Sequence, residues 1–322
     1  MASASSPILG HRAQLADLHM VFEYENISHA YLFEGPAHVG KFTIAKEFAE
    51  VLLSFHAPAE EEERIRNEVK KLLHPDLLAI DLLWREDILE DLDVIAGSSN
   101  ISQVHRIKAK AKTDTISIDD VRALQARLYE VPRAQYRCCL IKNVERLQPE
   151  AVNSLLKVLE EPPKGLIFLL TTSAPEQVLP TLRSRARRVA FHHLSRAELR
   201  PLVAGLDEDE AQFLLHVAQG APGIIVRMRN DPEKLREERQ LSNAARTFWH
   251  ESSTVTRLQL LTPLHERTEE ADRFLLHLSL ALRELPQGSM TTSTGHFRRF
   301  LRGMDTNVSR PLLCAELAMS TR

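Results

Sequence analysis

Gly35-Pro36-Ala37-His38-Val39-Gly40-Lys41 sets two glycines and a lysine in a G-x-x-x-x-G-K frame. This spacing lets a loop wrap its backbone amides around phosphate oxygens. The next position should carry a Ser or Thr hydroxyl to hold magnesium, and it carries Phe42. A second departure lies downstream in Leu140-Ile141-Lys142-Asn143-Val144-Glu145, where a nucleotide-hydrolysing fold ends a strand in Asp-Glu. Lys142 would bring positive charge to the metal's place, and the amide of Asn143 cannot act as a general base. Thr43 comes one residue late, which on a helix turns its side chain by ~100 degrees away from the ligand. Two readings of Gly35 to Lys41 stay open. In one the loop still contacts an anion through Lys41 and the amides at the helix start. In the other it persists as a packed turn without a ligand.

Such a loop needs a strand before it and a helix after it. Ala30-Tyr31-Leu32-Phe33 reads as the buried strand, and Ile44, Ala45, Phe48, Ala49, Leu52 and Leu53 recur at helical spacing behind the loop. Further strands are expected at Leu77-Leu78-Ala79-Ile80, at Arg137 to Ile141, at Leu166 to Thr171 and near Arg188 to Phe191. Leu166 to Thr171 is almost wholly apolar, as an interior parallel strand should be. Pro149 opens a helix running to Glu161. Short apolar runs alternating with helical patterns predict an α/β domain with a parallel sheet. Two charged stretches, Ala57 to Lys71 and Ile88 to Thr115, hold few core-forming residues and read as surface insertions. After Leu194 the pattern is helical throughout. Ser195 with Glu198 forms a capping box, and Ala221-Pro222-Gly223 breaks a helix.

With 322 residues, 43% hydrophobic and 26% charged, the chain is an ordinary globular protein of two or three domains. Lys plus Arg number 41 against 44 Asp plus Glu, a net charge of -3, so nucleic-acid contact would need a local patch. The three cysteines, Cys138, Cys139 and Cys314, fit a reducing compartment and have no zinc-site spacing. No apolar run approaches the ~20 residues needed to span a bilayer, and Met1 to Ser6 lacks a signal-peptide core. A soluble, cytoplasmic protein is expected.

Four blocks in order resemble the AAA+ subunits of the bacterial clamp loader: Gly35 to Lys41, Gln148 to Lys157, Leu159-Glu160-Glu161-Pro162-Pro163, and Leu182-Arg183-Ser184-Arg185. The resemblance spans roughly Ile8 to Gly223, and more weakly continues through Asn307 and Leu312-Leu313. It implies a RecA-like domain with a degenerate phosphate loop at 1-193, a helical lid at 194-235 and a helical collar for oligomerisation at 236-322. Loss of the magnesium residues and of Asp-Glu resembles the subunit type that hydrolyses no ATP and works as a structural, stator-like part in loading the sliding clamp for DNA replication. The family's Ser-Arg-Cys motif supplies an arginine to a neighbour's nucleotide. Here it reads Ser184-Arg185-Ala186, so Arg185 is the implied finger acting in trans.

The partners implied are the motor (gamma/tau) subunits and the delta subunit within the DNA polymerase III holoenzyme, and through them the sliding clamp and primed DNA, with no membrane. Gly35, Gly40, Lys41 and Thr43 are the residues that would touch a nucleotide. No cofactor is expected beyond residual ATP or ADP there. Many such subunits carry a four-cysteine zinc module after the first helix, yet no cysteine lies between Ser54 and Arg137, so no zinc is expected. His74-Pro75-Asp76 matches the block that follows the module, and Glu60 to Glu63 with Arg64, Arg66, Lys70 and Lys71 resembles a charged, solvated helix.

Other chemistry-bearing residues have plainer readings. Thr171 and Thr172 fall where the family senses phosphate and read as strand-end threonines. Arg106, Lys108, Lys110 and Lys112 would share one face if extended, but no aromatic interleaves with them. Cys138 and Cys139 read as small hydrophobes, Trp84 and Trp249 as packing anchors, and His192 and His193 as unliganded. Two rivals remain. One is an active ATPase motor using Thr43 and Glu145 for magnesium. The other is a stand-alone DNA-binding adaptor using Arg106 to Lys112 and Arg183 to Arg188.

Overall fold

The computed structural model describes residues 8–24, 26–80, 101, 115–304 and 306–320. Trp84 and the row Arg106, Lys108, Lys110 and Lys112 lie outside the described residues, as do Met1 to Ser6.

Five strands form one sheet: β1 (Ala30–Glu34), β2 (Leu77–Ile80), β3 (Arg137–Ile141), β4 (Leu166–Thr172) and β5 (Arg187–Ala190). Their order is β2-β3-β4-β1-β5 and every pairing is parallel. Strands β1 to β4 are buried at every position because helices cover both faces, and their sequences are apolar apart from Glu34, Arg137, Thr171 and Thr172 at the strand ends. β5 lies at the edge and buries only Val189. It runs one residue ahead of the expected Arg188 to Phe191.

Alternation along the strands divides the core in two. Tyr31, Phe33, Ala79, Cys138 and Leu169 face one cluster with the helix Lys41–Ser54. Leu32, Leu78, Cys139, Phe168 and Leu170 face another with the helices Ile118–Leu128 and Pro149–Glu160. Adjacent Cys138 and Cys139 thus point to opposite faces, both fully buried, and burial pushes both thiols well above their ordinary value.

The stretch Ala57 to Lys71, expected as a surface insertion with a charged, solvated helix, does form a helix, Ala59–Lys70, but one face of it is buried. Ile65 and Val69, four residues apart, face the core from it, and the glutamates occupy its first turn, where a helix favours negative charge. His74-Pro75-Asp76 is a buried brace. The His74 Nδ1 accepts from the Asp76 amide at 3.1 Å. The Asp76 carboxylate accepts from the Arg133 and Ala134 amides and pairs with Arg137 at 2.9 Å.

Contacts divide the chain into two compact units. One is Met1–Ala204 with Gln219–Gly223, and the other is Gly205–Ala218 with Ile224–Arg322. The second is helical. Phe248, Phe274, Phe297 and Phe300 build its core, and Trp249 packs among them, donating to the Leu278 carbonyl at 2.9 Å. Among the described residues no helix is long and apolar enough to cross a membrane, and no cluster of three His, Cys, Asp or Glu could hold a metal ion.

Candidate nucleotide-loop and arginine sites

Parallel pairing brings the carboxyl ends of β1, β3 and β4 to one edge of the sheet, where open α/β folds bind ligands. The 35–41 loop leaves β1 through Gly35, whose φ of 144° suits glycine alone. A Cβ there would lie 2.3 Å from the Phe191 carbonyl oxygen. Two more contacts fix the loop. The Val39 carbonyl is 2.9 Å from His11 Nε2, and the His38 carbonyl accepts from the Gly223 amide at 2.9 Å. Burial lowers the His11 pKa.

Lys41 opens the helix behind the loop and is 7% exposed. Its ammonium donates to the Gly35 carbonyl at 2.8 Å, to the Pro36 carbonyl and to Ser173 Oγ at 3.2 Å. An ammonium has three N–H donors, and here each finds an acceptor within the chain. Burial pulls the Lys41 pKa down to about 8, while the nearby Glu145 carboxylate pushes the other way. Glu145 is itself anchored, its Oε1 accepting from the Ser173 amide at 3.1 Å. Its Oε2 is buried without a hydrogen-bond partner among the described residues.

The two substituted positions meet. The Lys142 ammonium lies 5.2 Å from the centroid of the Phe42 ring and Lys46 lies 5.6 Å from it, both within cation–π range. Thr43 is exposed on the same helix. Asn143 adopts a left-handed backbone and donates its amide to Thr171 Oγ1 at 3.3 Å. Thr172 Oγ1 accepts from the Ala174 amide at 3.1 Å. Both threonines accept from backbone amides, Thr171 from just past the end of β3 and Thr172 from its own loop, and the hydroxyl that reaches Lys41 belongs to Ser173, which carries no motif of its own. Its position one residue after β4 was the available signal.

Arg185 follows the helical turn Pro180–Arg183. Its Nη1 donates to the Thr181 carbonyl at 2.9 Å, which also accepts from Ser184 Oγ at 3.1 Å. Its Nη2 donates to Glu160 at 2.6 Å. The side chain remains 34% exposed. Arg188 pairs with buried Glu34, Arg187 is exposed on the edge strand, and His192 and His193 are exposed beyond it.

A sequence model of the family described as "DNA polymerase III, delta subunit" matches residues 10–195. The chain is 28% identical over 204 residues to DNA polymerase III subunit gamma/tau of Mycobacterium tuberculosis (strain CDC 1551 / Oshkosh), covering 63% of this chain and 31% of that one. It is 26% identical over 221 residues to DNA polymerase III subunit delta' of Bacillus subtilis (strain 168), covering 66% and 58%. The chain thus spans about a third of the length of the gamma/tau relatives. A gamma subunit-related protein from Thermotoga maritima shares the fold with TM-score 0.56 at 16% identity, over 94% of this chain and 98% of that one. With its parallel sheet, its loop and this match over more than half its length, the chain belongs to the DNA polymerase III delta-subunit family of clamp-loader AAA+ proteins.

Proposed function

We propose that this chain is a delta-prime-type subunit of the bacterial clamp loader that hydrolyses no ATP and presents Arg185 to the nucleotide held by an adjacent motor subunit. The observation that carries the reading is the contact of Phe42 with Lys142. A ring offers magnesium no lone pair and an ammonium repels it, and the two pack on each other where a hydroxyl and a carboxylate would be needed. Lys41, with its three donors matched within the chain, supports the same reading. Arg185 has two of its five N–H groups on these acceptors and lies partly open, as a group working on another subunit's phosphate must.

In this reading 1-193 is the nucleotide-fold domain, 194-235 the lid and 236-322 the collar that joins gamma/tau and delta subunits. Its setting is the cytoplasm, with the sliding clamp and primed DNA reached through those partners. It carries no zinc and no resident cofactor. Any anion contact is made through Lys41 and the loop, and Gly35, Gly40 and Thr43 have no catalytic part.

The gamma/tau relatives favour one alternative, an ATPase motor using Thr43 and Glu145. Against it stand the exposure of Thr43 and the engagement of Glu145 by the Ser173 amide. Phosphate release from magnesium ATP by the isolated chain separates the two. We expect none above background. Steady turnover lost in Lys41→Ala would establish the motor instead.

A further inference from the structure

Arg185 is held from two sides, by the turn that precedes it and by the end of a helix 25 residues earlier. Pro162 and Pro163 follow the helix Pro149–Glu160 and cannot continue it, so Glu160 is its last residue. Glu160 Oε1 takes the Nη2 of Arg185 at 2.6 Å. From the other side the Thr181 carbonyl takes Nη1 at 2.9 Å. A guanidinium is a rigid planar fork, so gripping its two terminal nitrogens from separate elements fixes the plane as well as the place of the charge. The exposures of the pair, 34% for Arg185 and 52% for Glu160, mean that it adds little to folding stability. Orientation is what it can supply.

We propose that Glu160 is a positioning residue for Arg185, orienting the guanidinium in the free subunit so that little ordering remains when a neighbour's nucleotide arrives. This rests on the finger reading above.

The test uses four full-length chains, namely wild type, Glu160→Gln, Arg185→Ala and the double variant, each assembled with motor and delta subunits. The readouts are kcat and KM for ATP. Glu160→Gln should lower kcat about fivefold with KM unchanged, the size expected when one exposed charge pair is lost. Glu160→Asp should recover part of it, and the double variant should be no slower than Arg185→Ala alone. A Glu160→Gln complex at wild-type kcat, or a double variant slower than Arg185→Ala by the full factor, overturns the proposal and leaves the finger standing. An Arg185→Ala complex at the wild-type rate sinks the finger reading and this proposal with it. In the free chain, 15N relaxation at the Arg185 Nε–H should show a lower order parameter in Glu160→Gln. An unchanged value overturns the positioning role without any complex being made.

Discussion

Lys41 and Arg185 belong to the same compact unit, and they dispose of their charges in opposite ways. Lys41 is 7% exposed, and its three donors meet three acceptors, two of them carbonyls of the loop that should cradle phosphate. A ligand reaching that ammonium must displace bonds already made. Arg185 is 34% exposed and is steadied by two acceptors. The phosphate-loop frame is therefore turned inward on its own chain while the arginine of the Ser-Arg pair faces outward. A positively charged side chain in a nucleotide fold is informative only once its partners are counted.

Four changes would break or sharpen that contrast, and the largest effect belongs to the loop. Gly35→Ala forces a Cβ to within 2.3 Å of the Phe191 carbonyl at a φ of 144°, so urea unfolding should show a loss of roughly 3 kcal/mol or more. A loss under about 1 kcal/mol would mean the loop yields easily. Next, Phe42→Thr with Lys142→Asp restores the residue types magnesium needs. Calorimetry should then detect magnesium-dependent ATP binding tighter by about tenfold, or ~1.4 kcal/mol. No gain would show that these two residue types alone do not limit magnesium-nucleotide binding.

The third effect is a pH slope. The Lys41 pKa is lowered from 10.5 to about 8 in the folded chain, so between these values the unfolded chain binds more protons and stability rises with pH. Below about 8 both states are protonated and Lys41 adds no slope. Lys41→Met should flatten the rise in denaturation midpoints measured across that window, and an unchanged rise would assign it to other groups. Smallest of all, Arg185→Ala should alter the free chain's stability by no more than ~0.5 kcal/mol, because its ion pair is partly exposed. A larger loss would make Arg185 a structural residue.

What was legible in the sequence was local. Strand β1, its glycine loop and the helix behind it are contiguous, and β4 announces itself as an almost wholly apolar run. The helix Ala59–Lys70 was legible as a charged helix but its buried face was not, because four successive glutamates masked the i, i+4 pair Ile65 and Val69 that packs on the core. The edge strand β5 was placed one residue late, since only Val189 of its four residues is buried and little apolar pattern marks its ends. Ser173, Glu145 and Lys41 converge only because parallel register aligns the ends of three strands, and nothing in their spacing of 28 and 132 residues predicts it. Glu160 and Arg185 were both inside recognised blocks, yet their pairing needed the fold to bring helix end and turn together.

The contrast between the two cations is tested most directly by ATP hydrolysis in a reconstituted complex in which only the motor subunit next to this chain is competent, comparing Arg185→Ala with Lys41→Ala. If Arg185 acts in trans as proposed, Arg185→Ala should slow that site by roughly 10³-fold while Lys41→Ala leaves it within about twofold. Equal rates for Arg185→Ala and wild type, or a collapse with Lys41→Ala in a complex that still assembles, would contradict the account.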